Sequence, residues 1–434
     1  MVLYEFLTAI LVVLLSAVIF CALYLLDYLL DNKFKVGMPL DQLPDDVLIN
    51  VLSRLPAYEL LNRIVCKRWR SLISSHEFIR LQRERAPIVV LGQRFFIESS
   101  SYNKICFGLV EDGFKKSVKM ISFKFDANMI KCTPRLIDSC GGGELLLFLG
   151  MFVRDSYNDS KYIVFNPISC ESRFLHPPCY SFLEKLCGLF FHPLESEYKV
   201  LCWKMEVDCF AYYIYDGLGT ETQRKITSTP LFCRPANDEA PVVVEMGLHW
   251  MINQDKMGPN RSGFDPCDHT IMVFEIVSEE FRTLPHHPSL DGCEGGYSRC
   301  MMNHRYMNLF EMDKKLCLSH MFPDENRIDI WLLEDYTNWG WIRKHKIFTG
   351  FGKIPEVPKE FIKSSIGRDS MLRNKVIYIG KDMLVVNYFG RLYSLHLTLK
   401  TFKKVKDDAF GDYGTKLFTA YRSCLPMATG AELV

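Results

Sequence analysis

Charge of one sign is missing from this chain: 52 lysines and arginines stand against 51 aspartates and glutamates, a net charge of +1 over 434 residues. Bulk charge therefore selects no partner, and nothing in the balance points to nucleic acid or a polybasic membrane surface. The 16 cysteines are scattered singly and no C-x-x-C pair occurs. That excludes a paired-thiol redox or metal motif and fits a reducing compartment in which each thiol is a small buried hydrophobe. The short motifs of common catalysis are also missing. There is no G-x-S-x-G, H-E-x-x-H or P-loop, and Gly217-Leu218-Gly219 lacks the third glycine and helix of a dinucleotide turn. The chain reads as non-enzymatic, and no cofactor is expected.

What is present begins with a hydrophobic run. Phe6 to Leu26 carries no charge, and about 20 apolar residues at 1.5 Å rise can cross a bilayer core of about 30 Å. Glu5 stands where a signal peptide needs a basic residue, and no small-residue cleavage site follows, so the run reads as a transmembrane anchor. Lys33 and Lys35 follow the span with no lysine or arginine before it, which orients the remaining chain to the cytosol. Met38 offers an alternative start. Translation from there makes the protein soluble, cytoplasmic or nuclear, and 1–37 an extension ahead of the first folded module.

Residues 43–73, LPDDVLINVLSRLPAYELLNRIVCKRWRSLI, read as three short helices. Pro44, Asp45 and Asp46 suit a helix start. Val47, Leu48, Val51, Leu52 and Leu55 form one apolar stripe before Pro56 ends the helix. A second helix is expected from Tyr58 to Ile64. A third carries Val65, Cys66, Trp69, Leu72 and Ile73 on its apolar side, with Lys67, Arg68 and Arg70 facing water. A segment of about 40 residues cannot enclose a core of its own. Because amphipathic helices stop near residue 85, the surplus apolar surface calls for a partner rather than a larger helical core.

The stretch from Leu43 through Phe78 resembles the F-box, in the leading Leu43-Pro44, the central Leu55-Pro56 and the Val65-Cys66-Lys67-Arg68-Trp69-Arg70 run. The resemblance implies docking onto a Skp-type adaptor and, through it, a cullin-RING ubiquitin ligase. By position, it assigns adaptor contacts to Leu43, Pro44, Val47, Leu48, Leu52, Leu55, Pro56, Leu60, Val65, Cys66 and Trp69. Leu48, Leu52 and Leu60 have an alternative role in packing the helices against each other.

From about residue 88 the pattern changes to short apolar or alternating runs separated by turns, the signature of an all-β region. A unit of strand, polar turn and strand recurs, most clearly from Tyr162, Met272 and Leu392 and more weakly from Ile121, Tyr212 and Asp329. Its spacing, roughly 40 to 60 residues, suits one four-stranded propeller blade per unit. The expected fold is mainly β: a six-bladed β-propeller over 88–434, closed by pairing its first and last strands. A small three-helix module (38–85) and an N-terminal hydrophobic helix would precede it. Ser139-Cys140-Gly141-Gly142-Gly143-Glu144-Leu145, Asn166-Pro167, Glu197-Tyr198-Lys199-Val200, Gly247-Leu248-His249-Trp250 and Ile330-Trp331-Leu332 resemble the F-box associated domain of a large family expanded in plants. The glycine pairs of true kelch blades are mostly absent, and the N-terminal span is unusual for that family.

Isolated candidates for chemistry have simpler readings. His286-His287 lies between Pro285 and Pro288 without a cysteine or carboxylate at metal spacing, so it reads as loop; Gly141 to Gly143 reads as a turn. Trp339 and Trp341 flank Gly340 and are expected to pack a blade face. The sequons at Asn158 and Asn260 are expected to be unmodified. The resemblance implies a non-catalytic receptor whose propeller captures an unidentified protein substrate for ubiquitination. A membrane-tethered lumenal binding protein or hydrolase, and a scaffold bound to the adaptor alone, are the rival readings.

Overall fold

The computed structural model describes residues 43–55, 57, 60 and 66–86 of the helical part, and the strands with most of their short turns between 88 and 424. Residues 1–42, 425–434 and the longer connections, including 253–269, 288–303, 350–374 and 405–416, lie outside that description. Two compact units are distinguished, Met1–Val51 and Leu52–Val434.

Three helices open the described chain: α1 (Asp45–Leu52), α2 (Lys67–Ile73) and α3 (His76–Arg85). The acidic pair Asp45 and Asp46 occupies the first turn of α1, where the helix dipole favours negative charge. Ser75 caps α3, its hydroxyl accepting from the Phe78 amide at 3.2 Å. Most of the expected second helix lies outside the described residues; Ala57 and Leu60 are helical and buried.

From Ile88 onward the described strands form six four-stranded antiparallel sheets, with a 3-10 turn at Pro323–Glu325. The first joins β1 (Ile88–Arg94), β2 (Lys104–Val110) and β3 (Lys119–Lys124) to the last strand of the chain, β24 (Leu417–Arg422), in the order β24-β1-β2-β3. The second holds β4 (Arg135–Cys140), β5 (Leu145–Arg154), β6 (Tyr157–Asn166) and β7 (Glu171–Phe174). The third holds β8 (Glu184–His192), β9 (Glu197–Met205), β10 (Phe210–Asp216) and β11 (Gln223–Lys225). The fourth comprises β12 (Val242–Val244), β13 (Gly247–Met251), β14 (Ile271–Glu275) and β15 (Glu280–Leu284). The fifth comprises β16 (Met307–Met312), β17 (Lys315–Phe322), β18 (Arg327–Asp335) and β19 (Gly340–Phe348). The sixth comprises β20 (Lys375–Gly380), β21 (Met383–Tyr388), β22 (Arg391–His396) and β23 (Thr401–Lys404).

Each sheet packs its faces against its neighbours, so the middle strands are apolar on both sides. β9, EYKVLCWKM, is buried from Tyr198 to Trp203, and the outer strand β11 is exposed throughout. Apolar clusters join the second sheet to the third through Leu147 and Val200, and the third to the fourth through Phe190 and Phe274. Others join the fourth to the fifth through Val273 and Leu318, the fifth to the sixth through Ile330 and Leu395, and the sixth to the first through Ile377 and Val90. Between the first and second sheets the tie is polar: the Ser139 amide donates to Thr419 Oγ1 at 2.9 Å. The architecture is that of a propeller. Five of the six recurrent units are hairpins of the third and fourth strands of a sheet; the one from Ile121 instead starts on β3 and runs toward β4.

Tight turns make the sheets compact. Glu245 and Met246 (φ 49° and 61°) join β12 to β13, and Asp313 and Lys314 (φ 51° and 64°) join β16 to β17. Left-handed conformation at both positions is the geometry of a two-residue type I′ hairpin turn. The Gly247-Leu248-His249-Trp250 stretch ties three sheets together. Trp250 Nε1 donates to the Cys187 carbonyl at 2.9 Å, and His249 Nε2 meets the Tyr336 hydroxyl at 2.8 Å. A Cβ on Gly247 would lie 2.9 Å from that hydroxyl, which is why the position carries no side chain.

The expectation of a single-pass membrane protein is corrected. Among the described residues no helix is long and apolar enough to cross a membrane, and the span from Phe6 to Leu26 lies outside them. The longest described helix, α3, has 10 residues and is rich in charge. At 1.5 Å per residue it reaches about half of a bilayer core.

Asp138 accepts from its neighbour's amide, Ser139 N, at 2.8 Å and also from Thr419 Oγ1 and Lys375 Nζ, so one carboxylate gathers the second, first and sixth sheets. Asp138→Ala leaves these donors without their acceptor and is expected to cost about 2–3 kcal/mol, read as a lower urea midpoint with unchanged slope. An unchanged midpoint would show that this carboxylate does not secure the ring.

Candidate functional site

The helical segment divides its apolar residues between inside and outside. Leu48, Leu52 and Leu60 are buried, as are Ala57 and Ile73. Leu43, Leu55 and Trp69 are half-buried, and Pro44 and Cys66 are exposed. Pro56 and Val65 lie outside the described residues. Val47 is 39% exposed and Val51, which the resemblance did not assign, is 42% exposed. At i and i+4 on α1 they share a face, with water where a core helix would have neighbours. Their signal in the sequence was the stripe itself; which side of it is covered is not a property of periodicity.

α3 holds the segment around it. Gln82, buried, donates from Nε2 to the Leu55 carbonyl at 3.1 Å, and Arg85 Nη1 donates to Ser53 Oγ. Its C-terminal end lies against the β-rich region. Arg422 Nη1, at the end of β24, donates to the Arg83 carbonyl at 3.1 Å, placing a cation where the helix dipole is negative. The Arg83 guanidinium lies 3.6 Å from Glu144 Oε1, which also accepts from the Tyr198 hydroxyl at 3.0 Å. Glu144 is fully buried. Burial holds its carboxyl above the usual range, opposed by the Arg83 charge and the Tyr198 hydrogen bond. Glu144 precedes β5 and Tyr198 is on β9, so the helix end is joined to the first three sheets. Both residues lie in stretches singled out by the resemblance, without a role being assigned.

Facing strands of all six sheets surround a cavity of about 160 Å³, to which Asp138, Leu189, Val243, Leu309, Val376 and Ala420 each contribute from a different sheet. The sequence signal for this channel was the repeat, not any residue.

The histidine pair read as loop does follow β15, but both rings are buried. His287 Nε2 lies 3.3 Å from His320 Nδ1, and the His287 ring stacks on Trp331 at 4.1 Å and 4°. His320 packs on Phe322 at 4.0 Å, Arg327 covers Phe322 at 3.9 Å, and Arg343 lies 5.6 Å from Trp331. Asp329 joins the two ends of this column, 3.2 Å from Arg327 Nε and 3.5 Å from Arg343 Nη1. Among the described residues no third ligand atom completes a metal set with the two imidazoles. Burial, reinforced by His286, Arg343 and His304, lowers the His287 pKa to about 3. Two clusters of possible ligands do occur, His192-Glu195-Glu279 and Glu195-Glu197-Asp216. The buried Lys199 ammonium contacts Glu195, Asp216 and Glu279 at 2.5, 3.2 and 3.8 Å and already supplies the positive charge. Trp339 and Trp341 meet edge to face at 5.8 Å, and Trp339 Nε1 donates to the Pro285 carbonyl. Their expected packing role fits these contacts.

The model of the F-box domain matches residues 40–81. An Arabidopsis thaliana F-box protein is 28% identical over 335 residues, covering 70% of this chain and 73% of its own length. A putative F-box protein of the same organism is 24% identical, covering 64% of this chain and 56% of its own length. An Arabidopsis F-box/kelch-repeat protein is 46% identical over 43 residues, 10% of this chain and 8% of its own. Among solved structures, the β-propeller domain of the Trilobed protease from Pyrococcus furiosus covers 72% of this chain and 81% of its own, with 10% identity and a TM-score of 0.33. Overlap that slight carries nothing about function.

Two outcomes follow from the junction and the column. Arg83→Ala strands the Glu144 carboxylate and is expected to destabilise by about 3 kcal/mol, measured by urea unfolding; Arg83→Lys should recover part of it, and equal stability of all three proteins would dismiss the ion pair. For His287 the folded state resists the proton that the unfolded chain accepts below its ordinary value of 6.5. Stability is therefore lost as pH falls from that value toward about 3, roughly 2 kcal/mol of it by pH 5. His287→Phe keeps the ring and should flatten this part of the pH profile; an unchanged profile would assign the acid sensitivity elsewhere.

Proposed function

We propose that this chain, which joins an F-box at residues 40–81 to a C-terminal propeller in the manner of plant-type F-box proteins, is the substrate-recognition subunit of an SCF-type ubiquitin ligase. The F-box, read over 38–85, docks on a Skp-type adaptor within a cullin-RING complex. The β-rich region, 88–434, forms one closed six-bladed ring that captures the target protein. The observation that carries this reading is the F-box match falling on a helix whose Val47–Val51 face is open to water.

The chain supplies no bond chemistry in this role. Its contribution is proximity: holding a target beside the charged conjugating enzyme raises the effective concentration of the target's lysines. For the adaptor contact, the exposed or half-exposed members of the assigned set, Leu43, Pro44, Val47, Leu55, Cys66 and Trp69, are available to a partner, and Val51 joins them. Leu48, Leu52 and Leu60 act from inside by packing the helices. Pro56 and Val65 keep their assignment from the resemblance alone.

The test is adaptor capture by the full chain. Val47→Glu with Val51→Glu places charge on an already solvated face. It should leave the unfolding midpoint within about 0.5 kcal/mol while reducing adaptor binding at least about tenfold, a loss of about 1.4 kcal/mol. Wild-type protein that binds no Skp-type adaptor would overturn the ligase reading. Retention of full binding by the double variant would overturn the assignment of this face.

A further inference from the structure

Turns between strands stand in water and are ordinarily polar. Three neighbouring turns of this ring are not. Leu194 lies between β8 and β9, Met246 between β12 and β13, and Val277 between β14 and β15, with 75%, 45% and 52% of their surface exposed. Each of these turns joins first to second or third to fourth strands of a sheet, as does the turn that carries Glu144, so all leave the ring on the side where α3 is seated. They also meet. The Ile276 amide donates to the Met246 carbonyl at 2.9 Å, and carboxylate oxygens of Glu195 and Glu279 lie within 4.8 Å of each other. Leu194 and Val277 take the same place in the same kind of turn. The Ser196 amide donates to the His192 carbonyl and the Glu279 amide to the Glu275 carbonyl, both at 2.8 Å, with Ser196 and Glu279 left-handed (φ 56° and 55°). Two sheets therefore raise matching apolar tips side by side, with Met246 beside the second.

The charge around these tips is out of balance. Glu195, Glu197, Asp216 and Glu279 gather on two cations, Lys199 and Arg224. Glu245, exposed next to Met246, has no cation at ion-pair distance among the described residues. His192 lies 3.5 Å from Glu195, and counting it as charged still leaves carboxylates in excess. Lys199 is buried, so its charge sits beneath the Glu195 and Asp216 carboxylates, which reach water. Burial holds the Glu197 carboxyl above its usual range, and Glu195 and Asp216 add to this against the pull of Lys199. An apolar patch framed by carboxylates repels a second copy of itself and suits an occupant that brings both apolar groups and positive charge. The patch also borders the seat of α3. Tyr198, which donates to Glu144 beside Arg83, packs toward the second sheet, while its neighbour Lys199 points toward Glu279 of the fourth.

We propose that the Leu194, Met246 and Val277 turns form a docking surface for a basic segment of the target protein, one in which lysine or arginine alternates with apolar residues. This rests on the receptor reading and specifies its substrate class. The apolar groups pack on Leu194, Met246 and Val277, and the cations face Glu195, Glu245 and Asp216. Apolar contact supplies affinity, and the carboxylates select the sign of the partner. A segment held here lies on the same side of the ring as the end of α3, so its lysines are kept on the side from which the helical segment is presented.

The test uses the full chain and three fluorescent peptides of equal length in which leucine alternates with lysine, glutamine or glutamate. The lysine peptide is expected to bind at least about tenfold more tightly than the glutamine one, and to weaken as ionic strength rises from about 0.05 M to about 0.5 M. Glu195→Gln with Glu245→Gln keeps the shape of both exposed side chains and an oxygen for Lys199, and should remove the preference for lysine over glutamine. Leu194→Ser with Val277→Ser should weaken every version. On the wild-type chain, hydrogen exchange should show protection by the lysine peptide at residues 193–197, 245–247 and 276–280. Equal binding of the three peptides, no binding, a preference unmoved by the glutamine variant, protection elsewhere, or self-association through these turns in sedimentation would each overturn the proposal. Adaptor capture is measured on the same variants and should not change. If wild-type chain fails to bind adaptor but keeps the lysine preference, the ligase reading falls and the patch remains a peptide-binding surface.

Discussion

The pairing of β24 with β1 is the constraint on which the rest of the molecule depends. Ile88 lies opposite Arg422 and Gln93 opposite Leu417, so the first sheet is not complete until nearly the whole chain has been made. Each sheet can bury its faces only against neighbours, and the first and sixth meet through Val90, Ile377, Val385 and Leu392. An unclosed array would leave one face of a terminal sheet in water. Closing so long a loop costs entropy that grows slowly with length, but the contacts come late in folding, so topology of this kind is slow. The polar tie at the seam, with Asp138 accepting from Thr419 and Lys375, makes sense there: it is directional where apolar packing is not, and fixes the register of the closing strand.

The same strand serves the helical segment. Arg422 ends β24 and donates to the Arg83 carbonyl, while Arg83 faces Glu144 at the start of β5. Ring closure and seating of α3 therefore share a residue. A carboxylate with no exposed surface is a costly way to hold a helix, because losing its hydration offsets much of the ion-pair gain. Its return is geometric: Glu144 accepts from Tyr198 and faces Arg83 at once, so the helix end has one orientation on three sheets. In the receptor role proposed above, where the output is the distance between target and enzyme, a fixed orientation of the helix end serves proximity directly.

The β-rich class, the recurrence of a strand pair and the F-box were legible in the residues, for physical reasons. Hairpins such as Ile271 to Leu284 keep their two strands and turn contiguous, so local pattern reports them. The unit from Ile121 misled because an outer strand followed by the next sheet's first strand has the same local pattern as a hairpin; only pairing distinguishes them. Exposure on α1 was legible as a stripe but not by residue. Leu48 and Leu52 fall inside and Val47 and Val51 outside, on a helix where all four are equally apolar. Glu144, Tyr198, Gly247 and Trp250 lay within recognised stretches, yet their partners Arg83, Tyr336 and Cys187 are distant in sequence and no spacing rule connects them. The histidine column was invisible for the same reason: His287 and His320 meet only because adjacent sheets pack, and two of its rings come from β17.

Strand order also separates the two ends of the ring. In each antiparallel sheet the turns joining first to second and third to fourth strands leave on one rim, and the turn joining second to third leaves on the other. Glu144 lies in a turn of the first kind, and Arg422 and Ile88 meet at the same side of the closing sheet, so α3 reaches the ring on that rim. β19 begins at a turn of the same rim, at Gly340, and ends at Phe348 on the opposite one. β19 thus lies on the outer wall, crossing from the rim that carries the helix to the rim that does not. The wall is the part of a propeller that ring closure leaves open, since inner strands face the axis and middle strands face neighbouring sheets. A long outer strand with exposed lysines is the surface on which this fold can vary its charge without disturbing either closure or the helix junction.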